Sequence, residues 1–115
     1  MICRMWRGWT QKQNADAYEA YLKNELFPRL NKELRDCGYR GFHVLRLARE
    51  DEVEFVTLVW FDSRDAVRSF AGENYELPVI SPKAQSLLSR HSDHCDHYDL
   101  SGFEWPRGPE AVDPT

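Results

Sequence analysis

Residues 52–62 have the sequence Glu-Val-Glu-Phe-Val-Thr-Leu-Val-Trp-Phe-Asp, the strongest β-strand signal in this chain of 115 residues. Most of these side chains are β-branched or aromatic, which is typical of strands. Because alternate residues of a strand point to opposite faces, this strand has two apolar faces. One is formed by Val53, Phe55, Thr57, Val59 and Phe61, and the other by Val56, Leu58 and Trp60. Such a strand is predicted to lie inside a sheet that is covered on both sides.

Three further strands are predicted around this one. Residues 2–9 and 39–48 precede it, with a charged turn at 49–51, and residues 91–100 follow it. In the strand at 39–48, one side carries Phe42 and Val44, and the other carries His43, Leu45 and Leu47.

The segment after the first strand predicts a long helix. It begins at Asn14, the expected N-cap, and runs to about Asp36, with Gly38 as the residue that ends it. Apolar residues recur in it every four positions, and Pro28 predicts a kink or a break near Leu26.

Two shorter helices are predicted after the central strand. Ser63 caps a helix that runs to Ala71 and stops at Gly72, and Ser81-Pro82 begins another. The resulting order is βαββαβ, with one extra short helix before the last strand.

This order predicts an α+β fold, a ferredoxin-like βαββαβ split sandwich with both helices on one face of an antiparallel sheet. The other face is expected to carry Arg4, Trp6, His43 and Trp60 or their neighbours, and it needs a cover. A second copy of the sheet is the simplest cover. We therefore expect a homodimer that forms a dimeric α/β barrel.

The predicted domain spans residues 1–100, and residues 101–115 form a C-terminal tail. Phe103 and Trp105 are unexpected in a plain linker, because disordered tails are usually poor in aromatic residues. We expect the tail to lie on the partner subunit with Trp105 as anchor, while Pro106 and Pro109 keep the chain extended. The alternative is that the tail folds back on its own subunit.

The composition argues against several classes of protein. The chain is 42% apolar and 30% charged, and its net charge of −4 argues against nucleic acid or an anionic membrane as a partner. No apolar run is long enough to span a membrane and no secretory signal is present, so we expect a cytoplasmic protein. Three cysteines, an odd number, argue against a disulfide framework.

Aromatic residues are unusually frequent, at 13% of the chain. A domain of this size buries only about 65% of the surface that its unfolded chain exposes. Some of these large side chains therefore need a ligand cavity or a subunit interface.

No cofactor is predicted, because the chain has no glycine-rich nucleotide motif, P-loop or nucleophile elbow. No metal site is predicted either. The densest group of possible ligands extends along about 20 Å of strand, which is too far for one zinc ion. These residues are His91, His94, Cys95 and His97.

Three motifs together resemble the antibiotic biosynthesis monooxygenase family of dimeric α/β-barrel proteins. They are Trp-Arg-Gly-Trp-Thr at 6–10 before a long helix, Glu-Phe-Val-Thr-Leu-Val-Trp-Phe-Asp-Ser at 54–63 before another helix, and His-Tyr-Asp-Leu at 97–100. The resemblance covers residues 2–100. It implies a homodimer whose two sheets face each other, with a cavity in each subunit.

Such families include cofactor-free oxygenases of aromatic phenols, heme-degrading oxygenases and isomerases. The heme-degrading members use an Asn on the first strand, a Trp at the end of the third and a His on the next helix. Trp60 corresponds to that Trp, but the first strand has no Asn and no His lies between Ser63 and Ser89. Heme degradation is therefore not expected.

Two histidines are the candidate general bases, because imidazole titrates near neutral pH and can accept a phenolic proton. They are His43 and His97. Arg4, Arg7 and Arg46 alternate with apolar strand residues, so at least one is expected to point inward, where it needs a protein carboxylate or a ligand anion. Arg7 is the candidate anion stabiliser.

The predicted cavity wall consists of Trp6, Trp60 and Tyr75, with Tyr75 in an irregular segment at the mouth. The function we expect is a monooxygenase-like enzyme that oxidises a small aromatic or polyketide-like molecule without a dedicated cofactor. A non-catalytic small-ligand-binding dimer and an isomerase or cyclase that uses the same cavity are the alternatives.

Overall fold

The structure, a computed structural model, describes residues 1–104. Its strands are β1 (Ile2–Thr10), β2 (Tyr39–Ala48), β3 (Val53–Phe61), β4 (Leu88–His91) and β5 (Asp96–Asp99). Its α-helices are α1 (Ala15–Tyr21), α2 (Phe27–Leu34), α3 (Arg64–Ala71) and α4 (Pro82–Leu87). Short 3₁₀ turns at Lys12–Asn14 and Arg35–Cys37 and a π-helical turn at Leu22–Leu26 complete the first helical segment.

All strand pairs in the sheet are antiparallel. The sheet has the order β2-β3-β1, with β4 and β5 both next to β1 on its other side. The α+β class is confirmed, and the arrangement is compatible with a ferredoxin-like fold.

The prediction of one last strand at residues 91–100 is wrong, because two short strands with a bend between them occupy this part of the chain. The backbone N–H of Cys95 donates to the carbonyl of Glu76 at 2.7 Å instead of to β1. Between β4 and β5, the chain at Cys95 therefore bonds to a distant segment and does not continue the hydrogen-bonded pairing with β1.

The long first helix is interrupted, as Pro28 predicts. The π-helical turn ends at Leu26, directly before α2, in whose first turn Pro28 lacks an N–H for the helical ladder. Asn14 does not cap this helix as expected, since its side chain makes no capping hydrogen bond. Its backbone N–H donates to the carbonyl of Gln11 at 3.0 Å within the preceding 3₁₀ turn.

Serine caps begin both later helices, as predicted. Ser63 Oγ accepts a hydrogen bond from the N–H of Ala66 at 3.2 Å, and Ser81 Oγ accepts one from the N–H of Ala84 at 3.1 Å. Each bond satisfies a backbone donor that has no partner within its own helix.

One face of the sheet, which we call the helix face, packs against the helices. Tyr18, Phe27 and Val67 come from three different helices and are almost completely buried against it. The predicted apolar set of β3 on this face is buried at every position: Val53, Phe55, Thr57, Val59 and Phe61.

Arg4 and Trp6 also lie on the helix face, which corrects the expectation that they share the opposite face with His43 and Trp60. In the register of β1 with β3, Arg4 lies opposite Val59 and Trp6 opposite Thr57, two residues of the buried set. Residues that are directly opposite in neighbouring strands point to the same face.

The opposite face, which we call the open face, is not covered by a helix or a second sheet of residues 1–104. By strand alternation it carries Met5, Arg7, Trp9, His43, Leu45, Leu47, Glu54, Val56, Leu58 and Trp60. Leu45 and Leu47 are half exposed, at 51% and 50%. The described part of the chain thus covers β3 with helices on one side, and a cover for the other side stays a prediction.

The structure describes the first part of the predicted tail. Residues 101–104 are exposed, with Phe103 at 69%. The expected anchor Trp105, with Pro106 and Pro109, lies outside the described residues. Within residues 1–104, no helix combines the length and the apolar character that crossing a bilayer requires.

Replacing Gly38 by Ala should destabilise the fold strongly. Gly38 has a φ of +94°, in the left-handed region, and a Cβ there would lie 2.6 Å from the Cβ of Ala66. Left-handed strain costs about 1–2 kcal/mol and overpacking about 1–3 kcal/mol, so urea unfolding should show a loss of about 2–5 kcal/mol.

Gly8→Ala is the matched control for this variant. An added Cβ at Gly8 would approach the flexible end of the Leu88 side chain at 2.9 Å and would touch the Trp6 ring at an ordinary 3.7 Å, and the φ of Gly8 is not positive. Its loss should stay below about 2 kcal/mol. Equal losses in the two variants would contradict the role given to the backbone at Gly38.

Candidate functional site

A cavity of about 170 Å³ lies between the helix face of the sheet and the helical layer. Its wall is mostly aliphatic and aromatic, with Tyr18, Leu22, Phe27, Val59 and Phe70 among its residues. An apolar hollow with few polar groups is the usual form of a small-molecule site.

Arg4 is the buried cation in this wall. Only 5% of its surface is exposed, although arginine is almost never this buried without a charged partner. Its guanidinium donates hydrogen bonds to the carbonyl of Tyr75, to the carbonyl of Leu77 at 3.1 Å and to Nε2 of His97 at 3.1 Å. All three acceptors are neutral groups.

His97 is neutral beside this guanidinium. Because arginine can only donate, Nε2 of His97 must accept the bond, and its proton therefore lies on Nδ1. Burial, and then the positive charges of Arg4 and Arg64, lower the pKa of His97 to about 4. The ring of Tyr75 packs edge-on against the imidazole, with 4.9 Å between the ring centroids.

The irregular segment at residues 72–81, which we call the strap, covers one side of the cavity. Arg4 holds the strap to β1 through the carbonyls of Tyr75 and Leu77. At its far end, the hydroxyls of Ser81 and Tyr21 are hydrogen-bonded at 2.6 Å. Residues 78–81 line the cavity, whereas the side chain of Tyr75 lies outside it.

Trp6 lines the cavity from β1. Its indole N–H donates to the carbonyl of Ser92 at 2.8 Å, and its ring lies beside that of His91, with 5.5 Å between the centroids. These contacts fix the orientation of the indole, so that it forms a rigid part of the wall.

The other three predicted site residues lie on the open face. The indole N–H of Trp60 donates to Nδ1 of His43 at 2.9 Å, so this histidine carries its proton on Nε2. Arg7 is half exposed, and its Nε lies 3.9 Å from a carboxylate oxygen of Glu54. The structure therefore brings Tyr75 and His97 into contact with each other and with Arg4, but neither lines the cavity, whereas Trp6 does. Arg7, His43 and Trp60 lie on the other side of the sheet.

The sequence alone does not single out Arg4 as a site residue. Arg4, Arg7 and Arg46 all alternate with apolar strand residues, and nothing within β1 determines which face of the sheet Arg4 occupies. Arg46, another of the three, lies at the edge of the helix face and pairs with Asp16 and Glu19 at 2.9 and 3.1 Å.

Cys95 lines the same cavity and is buried. Burial raises the pKa of its thiol, so the group is protonated at neutral pH. Cys3, Cys37 and Cys95 are all free. Within the described residues, no group of three or more histidine, cysteine or acidic side chains could hold a metal ion.

No protein-family model matches the chain, and no curated protein matches it. The resemblance to the antibiotic biosynthesis monooxygenases therefore stays a prediction from the motifs.

The low pKa of His97 predicts a loss of stability in mild acid. Between about pH 6.5 and pH 4, the unfolded chain binds a proton at this histidine and the folded chain does not. Because the side chain is partly exposed, we expect wild type to lose about 1–3 kcal/mol more than His97→Gln over this interval. Urea unfolding at pH 7 and pH 4.5 measures the difference.

The matched control is His94→Gln, which removes an exposed histidine of the same region. This variant should keep the wild-type pH dependence. If His97→Gln kept it as well, the histidine beside Arg4 would not be the group that destabilises the fold in acid.

Proposed function

We propose that this protein is a monooxygenase-like enzyme that oxidises a small aromatic molecule in the cavity below its helices, without a dedicated cofactor. The observation that carries the proposal is the cavity, an aromatic and aliphatic hollow with a buried cation in its wall. The resemblance in the motifs at 6–10, 54–63 and 97–100 supports the type of reaction.

The size of the cavity favours a substrate with one ring. An apolar cavity of about 150 Å³ is enough to hold benzene in a protein interior, and drug-sized ligands occupy about 300–1,000 Å³. A cavity of about 170 Å³ fits the first class. This narrows the expected aromatic or polyketide-like substrate to a single-ring compound.

The reaction takes its electrons from the substrate. A phenol with a hydrogen on the ring carbon opposite its hydroxyl reacts with one molecule of dioxygen to give a quinone and water. One oxygen atom bonds to the ring, the other leaves as water with two hydrogens, and the ring supplies the four electrons. The protein contributes orientation and a dry, preorganised environment for the ionised phenol.

His97 is the candidate base in this proposal. His97 does not line the cavity and reaches it only through Arg4, from which its lone pair accepts a bond; burial, and then the positive charges of Arg4 and Arg64, keep its pKa low. An anion bound to Arg4 would offset that charge and free Nε2 to accept a proton. His43 lies on the open face and is not among the residues that line the cavity.

A non-catalytic small-ligand binder is the second candidate. The acceptor nitrogens of both His97 and His43 already accept bonds, from Arg4 and Trp60 respectively, so neither histidine offers a free lone pair in this state. Ligand binding without turnover would favour this candidate. Turnover without oxygen uptake would favour an isomerase or cyclase.

Oxygen uptake by the metal-free and heme-free protein tests the proposed reaction. With a panel of single-ring phenols, we expect one molecule of dioxygen consumed per quinone formed, above the rate without protein. Val59→Phe narrows the cavity and should abolish this uptake. Val56→Phe, on the open face of the same strand, is the matched control and should retain it. Uptake that is equal in both variants would exclude the cavity as the site.

We also propose that two copies pair through the open face. This face exposes Leu45 and Leu47, and it carries charges of both signs, with Arg90 paired to Glu52 and Arg7 near Glu54. A two-fold axis brings a face against itself, so a mixture of apolar side chains and both charges makes it self-complementary.

Sedimentation at micromolar concentration should show twice the mass of one chain. Leu45→Glu places a charge on the open face and should shift the protein to the monomer. Leu77→Glu is the matched control, because Leu77 is equally exposed, at 51%, but lies in the strap. A wild-type monomer would contradict the pairing.

A further inference from the structure

We propose that the cavity selects a small aromatic anion and that Arg4 binds the negatively charged oxygen of this ligand. The inference rests on the proposed function only in that an aromatic molecule occupies the cavity. It deepens that proposal by assigning the recognition of the ligand's negative charge to Arg4 and by making this charge the basis of selectivity.

The positive charge of Arg4 has no counterion within the described residues. The acceptors of its hydrogen bonds are two peptide carbonyls and one neutral imidazole, and no carboxylate pairs with it. The Cys95 thiol is not the counterion, because burial raises its pKa and keeps it protonated. A buried charge without a partner is costly, so a ligand anion here would gain the full benefit of pairing.

The guanidinium keeps donors for such a ligand. Arginine has five N–H donors, and the three hydrogen bonds to the strap and to His97 use three of them. The remaining two can bond to an oxyanion. A planar guanidinium in a mostly apolar wall suits this role, because charge-assisted hydrogen bonds are about twice as strong as neutral ones.

The pairing of the other arginines makes Arg4 distinctive. Several arginines of the described chain form hydrogen-bonded ion pairs with carboxylates although solvent already stabilises their charge. These pairs are Arg40 with Asp62, Arg46 with Asp16 and Glu19, Arg49 with Glu54, Arg68 with Asp65, and Arg90 with Glu52. Arg4 is buried and therefore needs a counterion more than these exposed arginines do, yet it lies beside a cavity and not beside a carboxylate.

A purely structural role would leave this charge unexplained. Arg4 does hold the strap to β1, but a neutral donor could make the same bonds to two carbonyls at a lower desolvation cost. Arg29, at the rim of the cavity, is exposed and is the other cation in the wall. It is therefore the natural comparison for Arg4.

Benzoate and benzamide, which have nearly the same shape and differ in charge, test the inference. Titration calorimetry of the full wild-type chain at pH 7 should show benzoate binding about 10- to 100-fold more tightly than benzamide. Arg4→Met should remove this preference, whereas Arg29→Gln should keep it.

In case Arg4→Met fails to fold, NMR of the wild-type protein provides a second measurement. The Nε–H resonance of Arg4 should shift when benzoate is added and should not shift when benzamide is added.

4-Nitrophenol distinguishes a phenolate from a carboxylate as the source of the anion. If a phenolate binds to Arg4, the bound dye should show the phenolate absorbance at a pH where the free dye is neutral. Binding of benzoate alone would assign the site to carboxylates, and binding of both would assign it to oxyanions in general. Either result supports the inference.

Three results would overturn it. Equal binding of benzamide and benzoate would leave an aromatic cavity without charge selection, so the proposed function would survive. Loss of the preference in Arg29→Gln with retention in Arg4→Met would move the recognition to the rim. Absence of binding by every probe would remove this inference together with the proposed aromatic site.

Discussion

The antiparallel pairing of β1 with β3 runs without a register shift from Ile2 opposite Phe61 to Thr10 opposite Val53. Since side chains alternate along both strands, this register assigns each of their residues to the helix face or to the open face. It places Arg4 and Trp6 in the wall of the cavity and Arg7 on the other side of the sheet. A shift by one residue would exchange these two sets, and the cavity would lose its buried cation.

Arg4 then joins parts of the chain that lie far apart in sequence. Its guanidinium holds the strap through Tyr75 and Leu77, and it holds β5 through His97. The same group thus closes one side of the cavity and contributes positive charge to its interior. A ligand anion at this position would contact the residue that orders the cavity wall, so binding and local stability are expected to be linked.

Local patterns were sufficient to predict much of the fold. The bounds of β2, the alternation of β3 and the caps at Ser63 and Ser81 depend on nearby residues, and each prediction agrees with the structure. The side of the sheet occupied by Arg4 could not be predicted, because apolar residues lie on both faces of β1. The break between β4 and β5 was missed for another reason, since it depends on a hydrogen bond between Cys95 and the distant Glu76.

The candidate site could be predicted only in part, since it needs the tertiary arrangement. Aromatic content and strand arginines indicated a cavity and an inward cation, but the histidines could be assigned only once their partners were known. His97 accepts a bond from Arg4, and His43 accepts one from Trp60 on the opposite face. These partners lie 93 and 17 residues away in sequence, and no local motif connects them.

The π-helical turn at Leu22–Leu26 has a consequence for how the cavity could change in evolution. Such a turn accommodates one residue more than a regular helix would, and each residue of an α-helix advances by about 100° around the axis. Deleting one residue here would let the helix become regular. It would also rotate one part of the helix relative to the other, so that either Leu22 or the α2 residues Phe27 and Leu30 would turn away from the cavity that they line. The shape of the binding space therefore depends on chain length at this turn as well as on the identity of the lining side chains.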